Sequence, residues 1–132
     1  MPYRVIWEPA GVYRQYLGNV TIDERRRSFD EICGDSRFDD LRYTITDYLA
    51  VTSYELTSHA TAEIAAMHVG PLITNPAIVM AAVADRDDIL EAIEEFKRHG
   101  FTDAPYRSFR TLPEARRWVA EQLARHTPRA AR

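Results

Sequence analysis

Residues 41–60, Leu41-Arg-Tyr-Thr-Ile-Thr-Asp-Tyr-Leu-Ala-Val-Thr-Ser-Tyr-Glu-Leu-Thr-Ser-His-Ala60, decide the fold. Leu41, Tyr43 and Ile45 alternate with Arg42, Thr44 and Thr46, which is the period of a strand. The strand runs through Asp47 into a second, short extended run. That run delivers four hydroxyls, Thr52, Ser53, Thr57 and Ser58, to the start of an Ala-rich helix. Free backbone N–H groups and the positive end of the helix dipole gather at such a junction, so it favours an anion or a phosphorylatable hydroxyl.

Upstream, Tyr3–Trp7 and Val12–Leu17 read as strands joined by the breaker-rich Glu8-Pro-Ala-Gly11. Thr21-Ile-Asp-Glu24 is a capping box for a first helix, with Ile22, Phe29 and Ile32 on one face and Arg25, Arg26 and Arg27 on its rim. Gly34 stops that helix, and a loop from Asp35 to Asp40 leads back to the strand. Downstream, the second helix begins near Thr57 or Ser58 and turns Ile64, Met67 and His68 inward. Gly70-Pro71 weakens or kinks it, because proline lacks an N–H and clashes with the preceding turn; Asn75-Pro76 ends it. Ala77–Ala84 is continuously apolar, as a strand covered on both faces must be. Asp85 is expected to cap a third helix, with Ile89, Ile93 and Phe96 inward and His99-Gly100 at its end. Tyr106–Phe109 is a last strand. Thr111-Leu-Pro-Glu114 opens a fourth helix with Ala115, Trp118, Val119 and Leu123 as its inner stripe.

The 132 residues fit one domain, placed at 1–124, followed by a basic flexible tail at 125–132. A hydrophobic content of 45% with 28% charge is that of a globular chain. The net charge, 17 − 20 = −3, leaves no footprint for nucleic acid. The single cysteine, Cys33, excludes an internal disulfide and a Cys-pair zinc site, and it reads as a small buried apolar residue. No basic-then-apolar segment follows Met1 and no apolar run approaches the roughly 20 residues of a membrane span, so the expectation is a cytoplasmic protein. Strands alternating with helices imply an α/β domain with right-handed crossovers. With an antiparallel first pair, this becomes a mixed β-sheet of about five strands with four helices.

The order strand-strand-helix-strand-strand-helix-strand-helix-strand-helix, with a hydroxyl-bearing strand-to-helix loop, resembles the STAS family, and above all its small stand-alone SpoIIAA-like branch. The resemblance spans roughly residues 3 to 123. STAS domains commonly carry Asp-Leu-Ser-Gly-Val and then Asp-Ser-Ser-Gly at the helix start. Asp47-Tyr-Leu-Ala-Val51 takes the first place and Glu55-Leu-Thr-Ser58 the second. Glu55 keeps the acid, and Thr57 keeps the hydroxyl that is phosphorylated in regulatory members. Leu56 replaces the first serine and Ser58 the glycine. Arg37-Phe-Asp-Asp-Leu-Arg-Tyr43, with Trp118 near the end, is similar to uncharacterised SpoIIAA-like proteins. The resemblance implies a non-enzymatic regulatory or binding module for an anion, a nucleotide or a partner protein at the strand-to-helix loop 47–58, with Asp47, Thr52, Ser53, Glu55, Thr57, Ser58 and His59 around its binding or switch surface. The SpoIIAA-like fold also resembles the lipid-binding part of Sec14-type domains. A carrier of a small apolar or lipid-like ligand, with Gly70-Pro71 and Met67 beside a cleft, is therefore a second expectation.

Each candidate also has a plainer reading. Thr57 or Ser58 serves equally as the helix N-cap, a role compatible with modification. A hydrolytic triad of Ser58, His59 and Asp47 is disfavoured, since successive residues of a helical turn point about 100° apart. His68, on an apolar stripe, reads as a core histidine bonded to a backbone carbonyl, with an acid/base role for His59 or His68 as the third expectation. His59, His68, His99 and His126 lack metal-ligand spacing, so no metal and no cofactor is expected. The acidic run from Asp85 to Glu95 and the Arg-rich end from Arg107 to Arg132 offer faces to a protein partner, or to each other in a homodimer, the commonest oligomer.

Overall fold

The computed structural model describes residues 3–55, 57–99 and 104–125, with the backbone alone for Ser58. A five-stranded sheet of β1 (Tyr3–Trp7), β2 (Gly11–Val20), β3 (Tyr43–Tyr54), β4 (Val79–Val83) and β5 (Tyr106–Phe109) runs in chain order from edge to edge. β1 and β2 are antiparallel, and every later pair is parallel. Helices α1 (Ile22–Cys33), α2 (Ser58–Met67), α3 (Val69–Thr74), α4 (Asp87–Arg98) and α5 (Leu112–Arg125) complete the chain. The sheet is thus the expected mixed one, and its second helix is broken into α2 and α3.

Strand order equal to chain order has a direct consequence. Three right-handed crossovers stepping the same way put their helices on one face of the sheet. α1, α3 and α4 accordingly pack on Val12, Tyr16, Met80 and Ala82, while α5, after the last strand, covers the other face through Tyr43, Ile45, Val79, Ala81 and Val83. β4 is sandwiched between the two layers, which is why residues 78–84 are all buried.

Local chemistry sets the element ends. The Thr21 hydroxyl accepts the Glu24 N–H at 3.2 Å and donates to its carboxylate at 3.0 Å, and Thr111 and Glu114 repeat the arrangement at 3.4 and 2.7 Å. The α2–α3 break falls at His68, where Pro71 offers no N–H to the Met67 carbonyl and crowds it. Asn75, buried past the end of α3, donates to the Phe38 and Leu41 carbonyls at 2.9 and 2.8 Å and so ties the loop before β3 to the approach of β4. Gly11 lets the Tyr43 ring cross β2, since a Cβ there would meet that ring at 2.5 Å. Gly18, at φ +65°, lies where the β2–β3 register shifts a second time.

Four expectations are corrected. The two extended runs around Asp47 are one strand, β3, which absorbs its extra residues in two register shifts against β2. Arg25 does not ride the helix rim but is buried, its guanidinium 4.7 Å from the centre of the Tyr54 ring. The N-cap of α4 is Arg86, with no side-chain cap bond, because Asp85 falls one residue too early. Cys33 is half-buried rather than buried, and burial still pushes its thiol up to about 11. α5 reaches Arg125, so the first residue of the expected tail is helical; the remainder, with His126, lies outside the described residues, as do Leu56 and Gly100. Among the described residues no helix is long and apolar enough to cross a membrane.

Candidate functional site

The β3–α2 junction brings part of the expected set together. Thr52, Ser53, Glu55, Thr57 and His59 are all exposed at the carboxyl end of β3. The Thr57 Oγ1 accepts the Ala60 N–H at 2.9 Å, so Thr57 is the N-cap of α2, and its carbonyl takes the Thr61 N–H at 2.9 Å. Ser53 donates to Asn19 Oδ1 at 2.6 Å. Backbone carbonyls anchor the segment: Thr52 receives Arg86 Nη1 at 2.5 Å, and Glu55 receives Arg25 Nη1 at 3.2 Å. Ser58 is the first residue of α2. The His59 side chain is 93% exposed, its Nε2 4.0 Å from the Glu63 carboxylate, which is engaged by Arg26.

Asp47 belongs elsewhere. It faces the α5 side of the sheet at 4% exposure, where Tyr13 donates to Oδ2 at 2.5 Å and the Leu49 N–H to Oδ1 at 2.8 Å. The second bond satisfies a backbone donor at the register shift between Gln15/Asp47 and Leu17/Ala50. The carboxylate and the junction hydroxyls are neighbours in sequence but do not share a surface. His59, in solvent beside Glu63, and the buried Asp47 do not come together.

The opposite face holds a polar chamber that the sequence reading missed. A cavity of about 60 Å³ lies between the sheet and α1, α2 and α4, walled by Arg14, Tyr16, Arg25, Tyr54, His68 and Tyr106 among others. Arg14 reaches it from β2, donating from Nη1 to Ser28 Oγ at 3.1 Å and from Nη2 to Thr46 Oγ1 at 2.9 Å. Its Nε is sequestered from solvent with no acceptor among the described residues. Ser28, fully buried, gives its own proton to the Arg25 carbonyl at 3.0 Å, so Tyr16, 2.7 Å away, donates to it. Neither Arg14 nor Arg25 has a carboxylate partner among the described residues.

His68 closes one side of this chamber. Its Nδ1–H donates to the Ile64 carbonyl at 2.8 Å, and its ring is 4.3 Å from Phe29 and 4.9 Å from Phe96, centre to centre. Burial, and then the charges of Arg14 and Arg25, hold its imidazole down at about 4, so it is neutral at physiological pH. A second, more apolar chamber of about 40 Å³ adjoins the first through shared walls and ends at Ile32, Leu72 and Ile78.

A signal for the chamber was present in the chain. Val12, Arg14 and Tyr16 alternate onto one strand face, and Arg25 falls three and four residues before the buried Ser28 and Phe29. Arginines at such core positions mark either a buried ion pair or a site.

No protein-family model matches the chain, and no curated protein matches it in sequence. Among solved structures, it is similar to an uncharacterized protein of the DUF3478 family from Shewanella loihica PV-4, a crystal structure with a SpoIIAA-like fold. The TM-score is 0.58 at 11% identity, covering 89% of this chain and 93% of that one. The fold of the present chain is therefore SpoIIAA-like, as the motif order implied.

Proposed function

We propose that the protein is a STAS-like regulatory or binding module, not a catalyst, that presents the β3–α2 junction to an anion or a partner protein, with Thr57 or Ser58 as the switch hydroxyl. One observation carries this reading: Thr57 is exposed at the N-cap of a ten-residue helix, at the carboxyl end of a strand with parallel neighbours. Ligands of open parallel sheets gather at that end. A phosphoryl group on Thr57 would lie against the N–H groups of the first turn and the positive end of the dipole. The positions of the histidines support the non-catalytic part, since His59 projects into solvent and His68 is committed to a backbone carbonyl.

Native mass spectrometry of protein purified from its own host tests the switch. A covalent phosphoryl adduct mapping to Thr57 or Ser58 is expected. Thr57→Ala should abolish modification at that site, with a cap loss of about 1 kcal/mol. Unmodified protein across growth states, with partner and anion binding unchanged in both Thr57→Ala and Ser58→Ala, would remove the junction from the reading.

The carrier reading retains a specific observation, the apolar chamber beside Pro71 and Leu72. At about 40 Å³ it is far below the roughly 150 Å³ that admits a benzene ring. A membrane lipid does not fit this conformation, and only a small apolar group does.

A further inference from the structure

A guanidinium taken out of water destabilises the fold unless an anion or a full set of acceptors replaces the solvent. In ordinary buried ion pairs, a carboxylate of the same chain does this. Here two guanidiniums, Arg14 from β2 and Arg25 from α1, wall one chamber with hydroxyls, carbonyls and tyrosine rings as their only partners among the described residues. Among the described residues Glu63 bonds to Arg26, Asp47 to Tyr13 and Leu49, and Glu24 through Oε1 to Thr21, while the buried Glu24 Oε2 has no hydrogen-bond partner there. The buried Arg14 Nε–H remains without an acceptor among the described residues.

We propose that this chamber is the binding site for a small organic carboxylate, with its head on Arg14 and Arg25 and a short apolar tail in the adjoining chamber. The planar guanidinium fork matches a carboxylate in two-point contact. The two chambers share Arg14, Phe29, Thr44, Thr46, His68 and Met80 as walls, so a head group in one lies beside the volume of the other. Their sizes, about 60 and 40 Å³, each exceed the roughly 10–15 Å³ that one water needs in a cavity, which leaves room for a short-chain carboxylate only. The apolar end at Ile32, Leu72 and Ile78 favours such a tail over a purely inorganic anion. Neutral His68 adds no competing positive charge, and its Nε2 has no partner among the described residues. Thr57 does not line the chamber, although Arg25 links the two regions by donating to the Glu55 carbonyl at 3.2 Å.

Calorimetric titration of the full chain at constant ionic strength, with sodium acetate, propionate, butyrate, hexanoate and inorganic phosphate as separate probes, tests this. Affinity is expected to rise about fourfold per added methylene from acetate to butyrate. Hexanoate should bind no more tightly than butyrate, because the second chamber is then full. Arg14→Met should weaken butyrate at least about tenfold. Should that variant misfold, the wild-type protein still decides through nuclear Overhauser contacts from the butyrate methyl to Met80 and Phe29. Absence of saturable binding up to about 10 mM overturns the proposal. Chain-length independence, phosphate matching butyrate, or undiminished binding by folded Arg14→Met does so equally.

Discussion

Under α5, the sheet presents Tyr43, Ile45, Val79, Ala81 and Val83 to Ala115 and Val119. Under α1, α2 and α4, the same strands one residue out of phase present Arg14, Thr44, Thr46, Tyr48 and Tyr106. The first layer is apolar, and polar groups at its margin are closed into pairs of acid and donor. Tyr13 serves Asp47, while Arg116 and Tyr43 serve Glu8. Arg116 accordingly holds the Glu8 carboxyl below its ordinary range, and burial, then the bond to Glu8, pushes the Tyr43 hydroxyl up to about 12. The second layer is a cation-bearing chamber with no acid in its walls among the described residues. One layer is organised for stability, whereas the other keeps unspent hydrogen-bonding capacity beside open volume. That is the distribution expected when a fold holds itself with one face and uses the other.

The largest effect should come from the apolar layer. Ile45, fully buried between Ala81 and the α5 stripe, has rigid backbone on either side, so little can collapse into the space it leaves. Ile45→Ala is expected to cost about 3–4 kcal/mol in urea unfolding. A loss under 1 kcal/mol would mean that the α5 layer is not the chief holder of the fold.

His68 probes the other layer through pH. Its folded value of about 4 lies below the ordinary 6.5, so between these values the unfolded chain binds a proton that the native chain does not. Stability from this group is full above about pH 6.5 and is lost as pH falls toward 4. The separation corresponds to roughly 3 kcal/mol, and the groups facing the ring with charge, Arg14 and Arg25, act in the same direction as its burial. His68→Phe should flatten that window, visible as the difference between variant and wild-type unfolding curves at pH 7 and pH 4.5. Superimposable pH profiles would show that the chamber is wetter than its walls imply. Bound butyrate should restore part of the His68 proton affinity, coupling ligand uptake to proton uptake.

The contrast between layers also explains what could be read from the chain. Features set within four residues were legible: both Thr/Glu capping boxes, a hydroxyl cap at Thr57 or Ser58, an interruption of the second helix caused by Pro71, and a bond from His68 to a backbone carbonyl. The doubly covered β4 was legible from its unbroken apolar run. The direction of Asp47 was not. Two register shifts merge two apparent runs into one strand, and each extra residue changes which face the following side chains meet. Arg25 was hidden by its context, because a triple arginine run reads as solvated until Tyr54 and the Glu55 carbonyl arrive from thirty residues away. Thr44 and Thr46 alternate with apolar residues as if facing water. They instead face Arg14, a pairing that exists only once β2 and β3 align.

Tyr13→Phe tests the closed pairs of the α5 layer. It removes one of two donors from a carboxylate at 4% exposure and leaves only the Leu49 N–H. An unfolding loss of about 2 kcal/mol is expected. If the loss is negligible, solvent reaches Asp47 and the pair is not closed.

Arg14→Met applies the same operation to the chamber and should have the opposite sign. The substitution deletes a desolvated cation that lacks a counter-charge among the described residues and keeps much of the side-chain volume. It costs the bonds to Ser28 and Thr46, yet Ser28 retains Tyr16 and the Arg25 carbonyl as partners. Loss and relief nearly cancel, and stability should be unchanged or raised by about 1 kcal/mol. A loss of about 2 kcal/mol or more would identify Arg14 as a strut between β2, β3 and α1, and would remove the asymmetry between the layers. A neutral or stabilised variant that no longer binds butyrate would show that the fold carries this guanidinium at its own expense, as expected of a group kept for what it binds.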